Sequence, residues 1–71
     1  MTALEYLHGL PVLPPSRERG KLGRPSKGEI RRWLLNQAVV INGQRPRPFD
    51  EVGEVHELVF FPNSTNRVSM V

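Results

Sequence analysis

Residues 25–43 constrain the fold of this chain more than any other stretch, because they join a helix-start signal to a strand and a tight turn. Ser26 and Glu29 have the S-x-x-E spacing of a capping box, in which the hydroxyl accepts from the later amide and the carboxylate reaches back to the earlier one. Pro25 disfavours helix at the residue before it. The sequence therefore predicts a helix over 26–36.

The spacing of the apolar residues in this stretch changes from a helical period to a continuous run. Ile30, Trp33 and Leu34 follow the i, i+3, i+4 pattern of one helical face, so we expect Trp33 in the core and not stacked on a ligand. A strand is predicted over 38–42, where an apolar run leads into Asn42-Gly43. That dipeptide favours a tight turn, since both residues tolerate positive φ.

The remaining chain adds short elements around this centre. They are a helix over 2–9, a proline-rich basic loop over 10–25, a strand over 55–61 and a short C-terminal strand over 67–71. Within 55–61, alternation places Val59 and Phe61 on one side of the strand, and Phe49 is expected to return to the core before it. The prediction is a single α+β domain over 1–71, with two short helices packed on a small antiparallel sheet.

The sequence offers little chemistry for catalysis or metal binding. His8 and His56 are the only histidines, cysteine is absent, and no metal-binding or phosphate-loop motif occurs. The acidic residues of 50–57 surround Val52-Gly53 and are typical of a solvated turn. We therefore predict that the protein is not an enzyme and uses no metal and no small-molecule cofactor.

The sequence shows no sign of export or membrane insertion. Its 71 residues contain no cysteine, which fits a small protein of a reducing compartment. The central apolar run 38–41 is far shorter than the roughly 18 residues that a membrane span requires. The N-terminus lacks the basic region and the small-residue cleavage site of a secretory signal. We expect a cytoplasmic protein with no membrane partner.

Charge is distributed unevenly along the chain. Residues 17–47 carry nine cations and two acidic residues, whereas residues 50–57 carry four acidic residues and no Lys or Arg. Such a pattern indicates one cationic face that binds a polyanion, although a solvated charged surface would have the same composition. The predicted nucleic-acid contacts are Arg24, Ser26, Lys27, Arg31, Arg32, Asn42, Gln44, Arg45 and Arg47, with possible loop contacts from Arg17, Arg19 and Lys21.

The stretch over residues 27–43 resembles the RNA-binding motif of ribosomal protein S-four, also called the alpha-L motif. Its sequence is Lys-Gly-Glu-Ile-Arg-Arg-Trp-Leu-Leu-Asn-Gln-Ala-Val-Val-Ile-Asn-Gly. The same module occurs in heat-shock protein fifteen, many pseudouridine synthases and bacterial tyrosyl-tRNA synthetases. The likeness covers residues 26–61, with Gly53-Glu54-Val55 similar to the start of the last strand. Departures from the family pattern are the inserted loop 11–25 and the Pro-Arg-Pro run at 46–48.

The resemblance implies an α+β module that binds structured RNA, such as ribosomal or transfer RNA, without catalysis. By position, the residues that match backbone contacts of the family are Arg31, Arg32, Gln44 and Arg45, and those that match the start of its recognition helix are Ser26 and Lys27.

Two other functions stay open from the sequence. Gly23-Arg24-Pro25-Ser26-Lys27 resembles part of an AT-hook, which binds the DNA minor groove, with Leu22 where the first arginine of that motif would stand. A small basic regulatory protein that docks on an acidic surface of a polymerase or a ribosome would use the same arginines.

Overall fold

The structure, a computed structural model, describes residues 1–16, 23–65 and 67–70. The described residues form two α-helices and one three-stranded antiparallel sheet, which confirms the predicted small α+β fold. The elements are α1 (Ala3–His8), α2 (Lys27–Leu35), β1 (Val39–Ile41), β2 (Leu58–Phe60) and β3 (Val68–Ser69), with the strands in the order β1-β2-β3. The helices and β1 are one residue shorter at each end than predicted, whereas β2 and β3 have three and two residues and are less than half as long as the predicted strands 55–61 and 67–71.

Both helices begin at the predicted capping residues. The Thr2 hydroxyl accepts from the Glu5 amide over 3.1 Å, and the Thr2 amide donates to the Glu5 carboxylate over 2.9 Å, so α1 has a complete capping box. The Ser26 hydroxyl accepts from the amide of Glu29 over 3.2 Å. The buried carboxylate of Glu29 also accepts from the Ser16 hydroxyl over 2.5 Å, which ties the preceding loop to α2.

The predicted Asn-Gly turn is present at the end of β1. Asn42 and Gly43 have φ values of 53° and 79°, as a tight turn with two left-handed residues requires. Ile41 and Gln44 exchange two backbone hydrogen bonds of 2.8 and 3.0 Å across this turn. The chain does not continue as the next strand after it. Instead, β1 pairs with β2, with Val40 opposite Val59.

One apolar cluster joins the helices to the sheet, and Trp33 lies within it as predicted. The cluster consists of Ala3, Leu4, Leu7, Ile30, Trp33, Leu34, Val39, Ile41, Leu58, Phe60 and Phe61. The indole ring of Trp33 meets the rings of Phe60 and Phe61 edge to face, with centroid distances of 6.0 and 5.0 Å.

The alternation predicted over residues 55–61 fails at Phe61. All three residues of β2 are buried, and the next residue, Phe61, has a φ of 53° and lies outside the strand. This left-handed conformation turns the chain, so Phe61 packs on Trp33 together with Phe60 instead of facing away from it. Two aromatic rings therefore cover the indole from consecutive positions.

Neither helix of the described residues combines the length and the apolar character that a membrane crossing requires.

Candidate nucleic-acid interface

Residues 47–50 form a turn that projects an aromatic side chain from the surface. The Asp50 amide donates to the Arg47 carbonyl over 3.1 Å, and the Arg47 amide donates to the Asp50 carboxylate over 2.9 Å. Pro48 occupies the second position of this turn, where its fixed φ is favourable. Phe49, at the third position, is 70% exposed. The prediction that Phe49 returns to the core is therefore wrong.

The turn is fastened to the first helix on both sides of Phe49. The Leu4 amide donates to the Pro48 carbonyl over 3.0 Å, and the Ala3 amide donates to the Asp50 carbonyl over 2.8 Å. These amides belong to the first turn of α1, where N–H groups have no partner inside the helix. None of these bonds uses the side chain of Phe49. These bonds fix the backbone on both sides of Phe49, and its side chain extends from that backbone into solvent.

Two shallow grooves lie beside the exposed ring. The first groove is lined by Thr2, Leu4, Glu5, Lys27, Gly28, Arg31 and Phe49. The second groove is lined by Arg31, Leu35, Arg47, Pro48, Phe49 and Asp50. Arg31 and Phe49 line both grooves, so a cation and an aromatic ring lie where the two grooves meet.

Three exposed cations give the surface around Phe49 a positive character. Lys27 and Arg31 are on α2, and Arg47 is on the turn. Their side chains form no hydrogen bond or ion pair with any residue that the structure describes. Within the described part of the chain, these three cations are therefore available to an anionic ligand. We call Lys27, Arg31, Arg47 and Phe49, with the two grooves, the Phe49 surface.

Two carboxylates also border the grooves, and each accepts a backbone hydrogen bond. Asp50 accepts from the amide of Arg47, as described above. Glu5 accepts from the amide of Thr2 over 2.9 Å. The hydrogen bonds from the Thr2 amide and hydroxyl, with smaller contributions from the N-terminal charge and Lys27, lower the pKa of Glu5. The lowered pKa keeps Glu5 ionised, so a negative charge remains at the edge of the first groove beside Lys27.

Some predicted contact residues instead hold the fold together, and Asn42 is the clearest case. Its side-chain amide donates to the Glu54 carbonyl over 2.8 Å, and its side-chain oxygen accepts from the amides of His56 and Glu57 over 2.6 and 3.0 Å. These bonds link the turn after β1 to the segment that leads into β2. The hydrogen-bonding groups that made Asn42 a candidate for RNA contact are therefore occupied.

Arg24 and Ser26 also form hydrogen bonds within the fold. The guanidinium of Arg24 donates to the carbonyl of His8 at the end of α1, and the Ser26 hydroxyl caps α2. Pro25 between them is buried. The segment that resembles an AT-hook is thus folded against the two helices.

The other predicted contacts lie at different places. Gln44 and Arg45 line a separate groove with Asp50 and Glu51, on the side of the Asn-Gly turn. Arg32 is exposed on α2 but lines neither groove of the Phe49 surface. The possible loop contacts Arg17, Arg19 and Lys21 fall outside the described residues.

Eight of the residues that line the two grooves were not predicted as contacts: Thr2, Leu4, Glu5, Gly28, Leu35, Pro48, Phe49 and Asp50. The sequence did contain a signal for Phe49: in Arg47-Pro-Phe-Asp50, proline at the second position of a four-residue turn places phenylalanine at the third, which is usually exposed.

The predicted solvated acidic turn is exposed as expected, with Glu51 paired to the N-terminal amine over 3.1 Å. Among the residues described, no group of three or more His, Asp or Glu side chains is placed to hold a metal ion.

Comparison with known proteins finds no family model, no curated protein and no solved structure that matches this chain. The resemblance to the alpha-L motif therefore rests on the residues of this sequence alone.

Proposed function

We propose that this protein binds structured RNA through the Phe49 surface and does so without catalysis. The observation that carries the proposal is the joint position of Arg31 and Phe49 between two grooves, with Lys27 and Arg47 at their edges. Arginine and lysine supply phosphate contacts that do not depend on sequence, and an exposed aromatic ring supplies a surface on which a base can stack. Few other ligands require both features side by side.

The order of elements supports the same proposal. A capped basic helix, a short strand and an Asn-Gly turn follow one another here as they do in the alpha-L motif. Under this proposal the targets are folded RNAs such as ribosomal or transfer RNA, and the protein acts in the cytoplasm, where those RNAs are found. The contribution of Arg32, Gln44 and Arg45 would be to extend the positive surface beyond the grooves.

A second candidate function is docking on an acidic protein, such as a polymerase or a ribosomal protein. Leu35, which is 59% exposed, lines the second groove with Phe49 and supports this alternative. DNA binding through Gly23-Arg24-Pro25 has weaker support, because the Arg24 guanidinium already binds a backbone carbonyl and Pro25 is buried.

A competition titration separates these functions. A structured RNA, a single-stranded RNA and an A·T-rich DNA duplex are titrated with the protein at two salt concentrations. We expect the structured RNA to bind most tightly, with an affinity that falls as salt rises. Preference for the DNA duplex would support the AT-hook alternative. Failure of all three to bind at about micromolar concentrations in moderate salt would favour docking on a protein.

A further inference from the structure

Gly28 is a glycine that the fold does not require. It lies on the exposed side of α2, in a helix where glycine is among the poorest formers, and its φ is outside the left-handed region. A Cβ atom added at this position would meet only the Ser26 hydroxyl, at 3.9 Å, which is ordinary contact. Neither backbone conformation nor internal packing therefore explains the absence of a side chain.

The absence of a side chain at Gly28 does have a consequence for the first groove. Gly28 and Phe49 line this groove together, with Leu4 in it as a largely buried apolar residue. Gly28 adds no side-chain atoms to this groove, whereas a long side chain at residue 28 has room to extend into it. The groove thus stays open to a flat group that lies on the ring.

We propose that the first groove holds one unpaired nucleotide of the bound RNA. Its base stacks on the ring of Phe49 and passes close to the backbone at Gly28, while its neighbouring phosphates contact Lys27 and Arg31. The inference rests on the proposed function and adds to it the kind of RNA feature that is recognised, namely a bulged or looped-out nucleotide next to a helical stem.

The chemistry of the groove favours a base over other flat or apolar groups. A base presents a π-face to the aromatic ring and carries phosphates on either side, which matches a ring flanked by cations. A base inside a duplex is already stacked on its neighbours and cannot reach a ring on a protein surface. The groove should therefore distinguish RNAs with an unpaired nucleotide from fully paired RNAs of the same charge.

The test uses two RNA hairpins that differ by one bulged nucleotide in the stem, and in both the strands are joined by a non-nucleotide linker, so that neither has an unpaired loop nucleotide. The wild-type protein should bind the bulged hairpin more tightly than the paired one. Phe49→Ala should bind the bulged hairpin about tenfold more weakly than wild type, as expected for the loss of one stacked base, with little change for the paired hairpin. Phe49→Tyr should retain the preference, since it keeps the ring.

A second variant separates binding from folding. Gly28→Gln should raise the melting temperature, because glutamine is a better helix former, and yet weaken binding of the bulged hairpin several-fold by filling the groove. Gly53→Gln is the control: a Cβ at Gly53 meets nothing within 4 Å, and Gly53 lines the groove of Gln44 and Arg45 but neither groove of the Phe49 surface. The control should keep the wild-type preference for the bulged hairpin over the paired one.

The possible results are distinguishable. Equal affinity of the wild-type protein for the two hairpins, or wild-type affinity of Phe49→Ala for the bulged one, would overturn the stacking proposal and leave RNA binding by the cations in place. Wild-type affinity of Gly28→Gln for the bulged hairpin would place the base outside the first groove and overturn the proposal too. Failure of the wild-type protein to bind either hairpin would overturn both this inference and the proposed function.

Discussion

Arg47 and Asp50 bond to each other in both directions across the turn that presents Phe49. One bond joins the Asp50 amide to the Arg47 carbonyl over 3.1 Å, and the other joins the Arg47 amide to the Asp50 carboxylate over 2.9 Å. The bonds fix the backbone at Phe49, so little backbone freedom is lost there when the ring meets a ligand. The turn therefore connects the packing of α1 to the shape of the candidate interface.

Replacing Asp50 tests whether this turn is needed for both stability and binding. Asp50→Ala removes the acceptor for the Arg47 amide and should lower the free energy of unfolding by about 0.5–1.5 kcal/mol; it should also bind RNA more weakly than Asp50→Asn, which loses the same negative charge, because the turn becomes less fixed. Asp50→Asn keeps an oxygen acceptor and should behave more like the wild type in stability. Urea unfolding and RNA titration of both variants provide the measurement. An Asp50→Ala variant with unchanged stability would show that the carboxylate does not hold the turn.

Asn42 is expected to act through the fold and not through RNA. Asn42→Ala removes the side-chain bonds to Glu54, His56 and Glu57 and also places alanine at a φ of 53°, so it should lower the free energy of unfolding by about 2–3 kcal/mol. Asn42→Gly accepts the same backbone conformation without strain. Asn42→Gly should therefore lose less stability than Asn42→Ala. Its loss, measured by thermal unfolding, gives the contribution of the side-chain hydrogen bonds without that of backbone strain. A folded, fully stable Asn42→Ala variant that fails to bind RNA would instead make Asn42 a contact residue.

Trp33 is expected to be essential for the core. Its side chain is only 7% exposed and packs between the helices and the sheet, so Trp33→Ala should cost roughly 3–5 kcal/mol through lost contacts and an internal cavity. A domain of this size is marginally stable, and we expect this variant to be largely unfolded by circular dichroism. Trp33→Phe should stay folded with reduced stability. A stable Trp33→Ala variant that lost only RNA binding would contradict the core assignment.

Glu5 should make the first helix sensitive to acid. Its pKa is lowered in the folded protein, chiefly by the hydrogen bonds from Thr2, relative to an ordinary value of 4.5. A group with a lowered folded pKa adds stability above its unfolded pKa and loses that contribution as the pH falls through the folded value. The wild-type protein should therefore melt at a higher temperature than Glu5→Gln at pH 7, and this difference should shrink below pH 4.5. A difference that is constant with pH would contradict the capping role of the carboxylate.

The helices and the turn after β1 could be predicted because their signals are local. The pairs Thr2 with Glu5 and Ser26 with Glu29 lie three residues apart, and Asn42-Gly43 determines its own backbone conformation. These short-range interactions depend little on the rest of the chain. The order of the elements and the fold class follow from them.

The position of Phe49 could not be predicted in the same way. Its exposure depends on bonds between the turn and the first amides of α1, which are distant in sequence. Hydrophobicity alone favoured the core for this residue. Phe61 shows a related limit, since its left-handed backbone conformation breaks an alternation that the sequence suggested.

The candidate site was only partly predictable because one polar side chain can serve the fold or a ligand. Lys27, Arg31 and Arg47 are exposed and line the grooves as predicted contacts should. Arg24 and Asn42 are equally able to bind RNA by their chemistry, yet their side chains donate hydrogen bonds to backbone carbonyls of the protein itself. Only the tertiary structure distinguishes these two groups.

The central claim, that RNA phosphates bind the cations of the Phe49 surface, is tested most directly by the salt dependence of RNA affinity. Arg31 lines both grooves, whereas Arg67 is an equally exposed arginine that lines neither, so Arg31→Ala and Arg67→Ala form a matched pair with the same change in charge. The slope of log affinity against log salt concentration is measured for both variants and the wild type with one structured RNA. We predict that Arg31→Ala reduces the magnitude of the slope by about 0.7–0.9, the value for one lost phosphate contact, and that Arg67→Ala leaves it unchanged. Equal slopes for Arg31→Ala and the wild-type protein would contradict the account.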